Sequence, residues 1–233
     1  MFTLEWTLAR RYLKPSRKEG FISVIAGFSF LGITLGVAAL IIVMSVMSGF
    51  RDKLIESILG FNGHIGISSM AIPPYPPQGL THYEQGRKSI EHMSGIKSVT
   101  PLIERQVMAT TKGMAQGLMI HGLSHEDLMN RDLVSSKIVQ GSLDVFKEHN
   151  SIVIGRRFAD KMGVMVGDSL TLISPEGNAT AFGTIPRMRR FKVAAVFEVG
   201  MSQYDSMVAF IPLKSAQQFF RMEDRVTTYE IFL

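Results

Sequence analysis

The sequence predicts an α+β protein carried on a single transmembrane helix, and three observations predict it. Residues 21–50 pass without one Asp, Glu, Lys, Arg or His. Beyond them, short apolar runs punctuated by Gly and Pro alternate with segments of helical spacing. The composition is 46% hydrophobic and 19% charged over 233 residues, that of a folded domain with one greasy helix added.

The uncharged run of 30 residues makes a helix about 45 Å long, against a bilayer core of about 30 Å. A secretory signal has an apolar stretch of roughly 7–15 residues and then a small-x-small cleavage site. The alanine pair here, Ala38 and Ala39, lies in the middle of the run. A core helix of a globular domain is not uncharged on every face over this length. Arg10, Arg11, Lys14, Arg17 and Lys18 precede the run, whereas Arg51 and Lys53 after it are offset by Asp52 and Glu56. The positive-inside rule therefore sets the N-terminus in the cytoplasm and residues 51–233 outside. Trp6 and Tyr12 suit an interfacial helix over 3–13. Gly32 and Gly36 form a GxxxG pair, and Ser23 with Gly27 and Ser45 with Gly49 repeat the spacing. Small residues at this spacing let membrane helices approach closely. No later stretch reaches the roughly 18 apolar residues of a span. The packing partners are thus expected on another chain, or the chain is a fragment, an expectation that "TTYEIFL" at its end, reading as a strand, supports.

Leu54, Ile55, Ile58 and Leu59 continue the helical spacing about two turns past the run. A strand near 64–68 follows, then a proline-rich extended linker over 72–79, and a helix over 81–93 with Thr81 as its N-cap. Strands are predicted at 96–111 and 115–121. "SIVIGRRFADKMGVMVGDSLTLI" (151–173) reads as a strand, a helix over 155–162 closed by Gly163, a turn at 166–168 and a strand at 169–173. Further strands fall at 190–200 and 206–211, and Pro212 opens a short helix through Phe220. Residues 174–190 make a long connection between neighbouring strands, rimmed by Arg187, Arg189, Arg190 and Lys192. Hairpin loops usually have two to five residues, so a loop of this length marks function or disorder.

The net charge is +5, with no long basic arm, which argues against a nucleic-acid partner. Cysteine is absent, which excludes disulfides and thiolate chemistry. There is no Walker loop and no HExxH. His121 and His125 are four apart, with Glu126 and Asp127 adjacent, but Gly122 disfavours a helix there and no third ligand is placed, so no metal site is expected. No nucleophile is set beside a base. Binding or transport is the function class left.

"GITLGVAALIIVMSVMSGF" (32–50) with "ILG" (58–60), "IGRRFADKMGVMVGDSLTLISPEG" (154–177) and "GTIPRMRRFKVAAVFEVGMSQYDSMVAFIPL" (183–213) resemble the LolC/LolE permeases of the bacterial lipoprotein-releasing ABC transporter. More broadly they resemble the macrolide-exporter type of permease. The resemblance implies an inner-membrane protein with one helix, a large periplasmic domain and three further helices, of which this chain matches the first half. It divides the chain into a cytoplasmic or interfacial segment (1–20), the transmembrane helix (21–50) and two periplasmic lobes. One lobe is discontinuous and α/β, from 51–120 and 212–233. The other is mostly β, 121–211, and carries the hairpin 174–190.

The resemblance further implies a non-catalytic subunit without a cofactor, ATP being hydrolysed by a separate pair of cytoplasmic ATPase subunits. A second permease subunit, homologous or identical, completes the membrane core. Mature lipoproteins leave the outer leaflet of the inner membrane through a cavity whose wall here is Val43, Val46, Met47 and Phe50. They pass to a periplasmic chaperone docked on the hairpin. The implied docking residues are Ser174, Pro175, Ala179, Thr180, Ala181 and Phe182 on the arm, then Pro186, Arg187, Met188 and Arg189 at its base. Met188 stands where a polar residue is usual. The hairpin favours a LolC-like role. The alternative is a related mechanotransmission permease for drug or peptide export or for control of cell-wall hydrolases.

Overall fold

The computed structural model describes residues 2–13, 20–69, 79–147, 150–180 and 183–233. Lys14, Arg17, Lys18, residues 72–78 of the proline-rich linker, Ala181 and Phe182 lie outside the described residues. The chain divides into two units, residues 1–57 and 58–233.

The first unit is helical. α1 (Phe2–Leu13) precedes α2 (Gly20–Phe61), which runs 42 residues without interruption. Its stretch Val24–Ile55 is long and apolar enough to cross a membrane. Bulky side chains stand out all around it, among them Phe28, Leu35, Ile42 and Met44, each more than half exposed. Within that stretch Thr34 turns its hydroxyl back onto the Phe30 carbonyl at 2.8 Å, which satisfies a polar group that lipid cannot. The helix continues through 51–61 as its spacing predicts.

The second unit contains β1 (Ile65–Ser68), β2 (Leu80–Thr81), α3 (Tyr83–Glu91), β3 (Ser98–Thr111), β4 (Met114–Leu123), α4 (His125–Met129), α5 (Asp132–Ser135) and β5 (Ile138–Gly141). A 3-10 turn (Leu143–Lys147) leads to β6 (Ser151–Gly155), α6 (Arg156–Met162), β7 (Ser169–Thr180), β8 (Gly183–Phe197), α7 (Ser202–Met207), β9 (Val208–Pro212), α8 (Leu213–Phe220), β10 (Arg225–Val226) and β11 (Thr228–Phe232). Nine strands form one mixed sheet in the order β1-β11-β3-β4-β9-β6-β8-β5, with β7 inserted between β3 and β8. The β4–β9 and β6–β8 pairs are parallel.

Alternation along the central strands supplies two cores. Ile152 and Ile154 of β6, with Ala209 and Ile211 of β9, join Phe158, Phe191 and Phe219 under α6 and α8. Val153 and Phe210 face the other way, onto Phe146, Phe197 and Leu128. A strand buried on both faces has to be apolar throughout, as "SIVI" is. Full burial of one Phe is worth about 1.5–3 kcal/mol, so the five fully buried phenylalanines anchor both layers. Next to β1, the His64 amide donates to the Ile231 carbonyl at 2.8 Å and the Leu233 amide to His64 Nδ1 at 3.2 Å.

Three expectations are corrected. Thr81 does not cap α3; it pairs with Arg225 in a two-stranded ribbon, and His82, left-handed at φ 52°, occupies the cap position. The strand expected over 206–211 starts at Val208, because 202–207 form α7, with the buried Asp205 carboxylate accepting from the Val199 and Gly200 amides at 2.9 and 3.1 Å. The connection 174–190 is not an open loop. The β7–β8 ladder continues through Asn178–Ile185 to Thr180–Gly183. Pro175 and Pro186 fall between the pairs Ser174–Arg187 and Asn178–Ile185, where the register shifts and no ladder bond is needed.

Candidate functional site

The arm is built by β7 and β8. β3 pairs with β7 only at Thr171–Ile173, so beyond Ser174 the arm has two strands and extends about 20 Å by its residue count. Its base is braced from each of its two strands. Arg105 Nε of β3 lies 3.5 Å from Glu176 Oε1. From β8, Arg187 Nη1 donates to the Phe220 carbonyl at 3.0 Å. Arg189 Nη1 donates to the Ser215 carbonyl at 3.4 Å and its Nη2 to Gln218 Oε1 at 3.0 Å. These acceptors belong to α8, and Phe220 is its last residue, where carbonyls lack helical partners and cations are favoured. The Arg189 guanidinium also stands 5.9 Å from the Phe191 ring centroid, and burial pushes its pKa down.

Strand alternation separates the predicted docking residues. Arg187 and Arg189 share the inward side with the fully buried Phe191. Met188, 65% exposed, and Arg190 face outward. Register joins Met188 to Ile173 and Ile173 to Met108, giving an apolar row across three strands. Ser174 is buried, whereas Pro175 and Pro186 are exposed. Ala179 and Thr180 lie on the distal ladder, paired with Thr184 and Gly183.

On α2, Val43, Val46, Met47 and Phe50 follow the spacing i, i+3, i+4, i+7 and so share a face, each about two-thirds exposed (63–67%). Gly32 and Gly36 fall on that same stripe, and an added Cβ at either would meet nothing within 4 Å.

Sequence reading missed a buried polar cluster that no spacing announces. Arg131 of the α4–α5 junction pairs with Glu230 of β11, 99 positions away. Burial pushes the Glu230 carboxyl up while Arg131 opposes the shift. Arg87 Nη2 reaches Asp127 Oδ1 at 3.2 Å, and Asp127 is likewise pushed up by burial. His121 is buried edge-on to Phe210, with its pKa pushed down to about 3 by burial and by Arg131. His121 lies in β4 and His125 opens α4 behind the Ser124 cap, so the two do not share a helix face. Among the described residues no group of three His, Cys, Asp or Glu could hold a metal. A cavity of about 400 Å³ near the cluster is lined by His121, Glu104, Glu230, Tyr204, Met119 and Asn62, among others.

The family model for the MacB-like periplasmic core domain matches residues 26–233. The chain is 29% identical over 227 residues to the lipoprotein-releasing system transmembrane protein LolC of Neisseria meningitidis, covering 97% of this chain and 53% of that protein. It is 25% identical over 233 residues to the corresponding protein LolE of Haemophilus influenzae, covering 100% of this chain and 54% of that one. The chain thus spans about half the length of the curated relatives it matches. The periplasmic region of MacB from Actinobacillus actinomycetemcomitans aligns with a TM-score of 0.50 at 16% identity, over 78% of this chain and 79% of that one, a likeness of fold.

Proposed function

The chain belongs to the MacB-like periplasmic core domain family and is of the LolC/LolE permease kind; on that premise we propose that it serves as a permease subunit of a lipoprotein-releasing ABC transporter. α2 crosses the inner membrane with its N-terminus in the cytoplasm, and residues 51–233 are periplasmic and two-lobed. ATP hydrolysis resides on separate cytoplasmic subunits, and a second permease subunit packs on the Gly32–Gly36 stripe. Mature lipoproteins enter along Val43, Val46, Met47 and Phe50. Apolar side chains, one a pliable Met, suit acyl chains of varied length. A periplasmic lipoprotein chaperone docks on the hairpin 174–190 and receives the acyl chains.

The observation that carries this reading is the two-stranded arm itself, braced at its base and extended beyond the sheet. A rigid projecting ribbon presents a partner with contact area at little ordering cost. The test is titration calorimetry of the purified chaperone into the full chain in lipid nanodiscs. It compares wild type with a variant whose residues 175–186 are replaced by a four-residue turn. Binding is expected to vanish in the shortened chain while its circular dichroism persists. Unchanged binding would remove the docking role and leave a LolE-like lipoprotein-receiving subunit or an export permease.

A further inference from the structure

The second core gives way to a cavity whose lining is not that of a core. Leu102, Leu123 and Phe210 share one face of the sheet and belong to the second core. Toward β1 and α7 the same face turns polar. Phe210 pairs with His121, His121 with Glu104, and Leu102 with Thr228. Glu230 lies two residues on from Thr228, so alternation gives it the same face. About 400 Å³ is open there, bounded also by Met119 and Val208 of the sheet, by Gln203, Tyr204 and Met207 of α7, and by Asn62. That volume is within the roughly 300–1,000 Å³ of small-molecule sites. The walls are preset. Asn62 Nδ2 donates to the Tyr204 hydroxyl at 2.8 Å, and Gln116 Nε2 donates to the Ser206 carbonyl at 2.8 Å, which holds α7 in place.

The charge in this cavity is unbalanced. Of the residues that line it, Glu104 and Glu230 are carboxylates and none is Lys or Arg. His121 is neutral, its pKa pushed down to about 3 by burial and by Arg131. Arg131 pairs with the buried Glu230, which leaves Glu104 without a cation among the lining residues. Burial pushes the Glu230 carboxyl up, Arg131 opposes the shift, and the Glu104 charge adds to it. Buried charge is costly, and a buried ion pair gains little over apolar packing, so stability does not account for this lining. Among the described residues no group of three His, Cys, Asp or Glu could hold a metal. An organic cation with N–H donors fits instead. Its donors meet the carboxylates, the Thr228 hydroxyl and the Gln203 amide. Its aliphatic stem meets Met119, Met207 and Val208, where thioethers adapt to its shape. We propose that the cavity binds a primary ammonium group on a short aliphatic stem, with Glu104 as its counter-ion. The proposal does not depend on the transporter role. Two sources carry this group, a free amine and the aminoethyl head of a phospholipid.

The test uses the full chain in nanodiscs of phosphatidylcholine, whose head has no N–H donor. n-Butylammonium is titrated by calorimetry. Tetramethylammonium, a cation without N–H donors, and n-butanol, an uncharged counterpart, are the controls. Saturable binding of butylammonium alone is expected, and the thermal midpoint should rise with its concentration. Glu104→Gln removes the counter-ion at an exposed position. It should weaken binding tenfold or more and leave the unliganded midpoint unchanged. Met207→Trp, which fills the space from α7, should abolish binding. Nanodiscs of phosphatidylethanolamine then identify the source. A lowered apparent affinity for butylammonium assigns the cavity to the lipid head, and an unchanged affinity assigns it to a free amine. The proposal is overturned if wild type shows no saturable binding, if tetramethylammonium binds as well as butylammonium, or if Glu104→Gln binds as well as wild type. None of these results bears on chaperone docking at the hairpin, which the shortened arm tests separately.

Discussion

His121 shows how one buried side chain sets a pH limit on the fold. Its imidazole is held neutral, with a pKa near 3, first by burial and then by the charge of Arg131. In the unfolded chain an imidazole titrates near 6.5. Below that pH the unfolded state takes up a proton that the folded state refuses. Stability therefore falls as pH drops from about 6.5 toward about 3, by up to about 1.4 kcal/mol per unit. Urea melts at pH 7 and pH 5 should show the loss, and His121→Gln should flatten it. Arg131 and Glu230 make a second residue-scale case. Arg131→Met leaves a buried carboxylate without its cation and is expected to cost about 3–5 kcal/mol. Arg131→Met with Glu230→Leu should recover most of that, as read by urea midpoint and by exchange of the β11 amides. Neither residue was legible in the sequence as a site. A pair 99 positions apart has no local spacing, and only the sheet order brings β11 beside the α4–α5 junction.

At the scale of elements, legibility followed the length of the signal. α2 was legible because a run of 30 uncharged residues has few other uses, and α6 because Gly155 and Gly163 bracket it. α4 and α5 were not, since helices of five and four residues carry too few turns for a period to show. The arm was half legible. Its length stood out, but Pro175, Gly177 and Pro186 read as loop until the register shift gave the prolines a place without ladder bonds. The brace between arm and α8 also depends on how closely α8 lies on β4. An added Cβ at Gly122 would sit 2.3 Å from Ala216 Cβ. Gly122→Ala is expected to push α8 outward at a cost of about 1–3 kcal/mol, and to loosen the Arg187 and Arg189 bonds with it. Raised hydrogen exchange along the arm would register both. On α2, the glycine stripe and the residues proposed to line the lipoprotein cavity share one face. Gly36→Leu should therefore hinder the proposed association with a second permease subunit, measured as loss of co-purification, while Gly49→Ala, off the stripe, should leave it intact.

For the whole molecule, the sheet ties distant parts of the sequence together at one edge. β1 is paired to β11 over Ile65–Ile231 through Ser68–Thr228, and Leu233 is bonded back to His64. Residues 64 and 233 are thus held side by side. A body with that property is a cassette. It can be spliced into a surface turn of an unrelated host without prising the host's backbone apart, because the splice spans one strand spacing of about 4.8 Å. Residues 64–233 grafted this way should keep their own cooperative melting transition and the host its own. Whatever evolution varies between those two points, arm included, can be exchanged as one cartridge without rewiring the helix on which it is mounted.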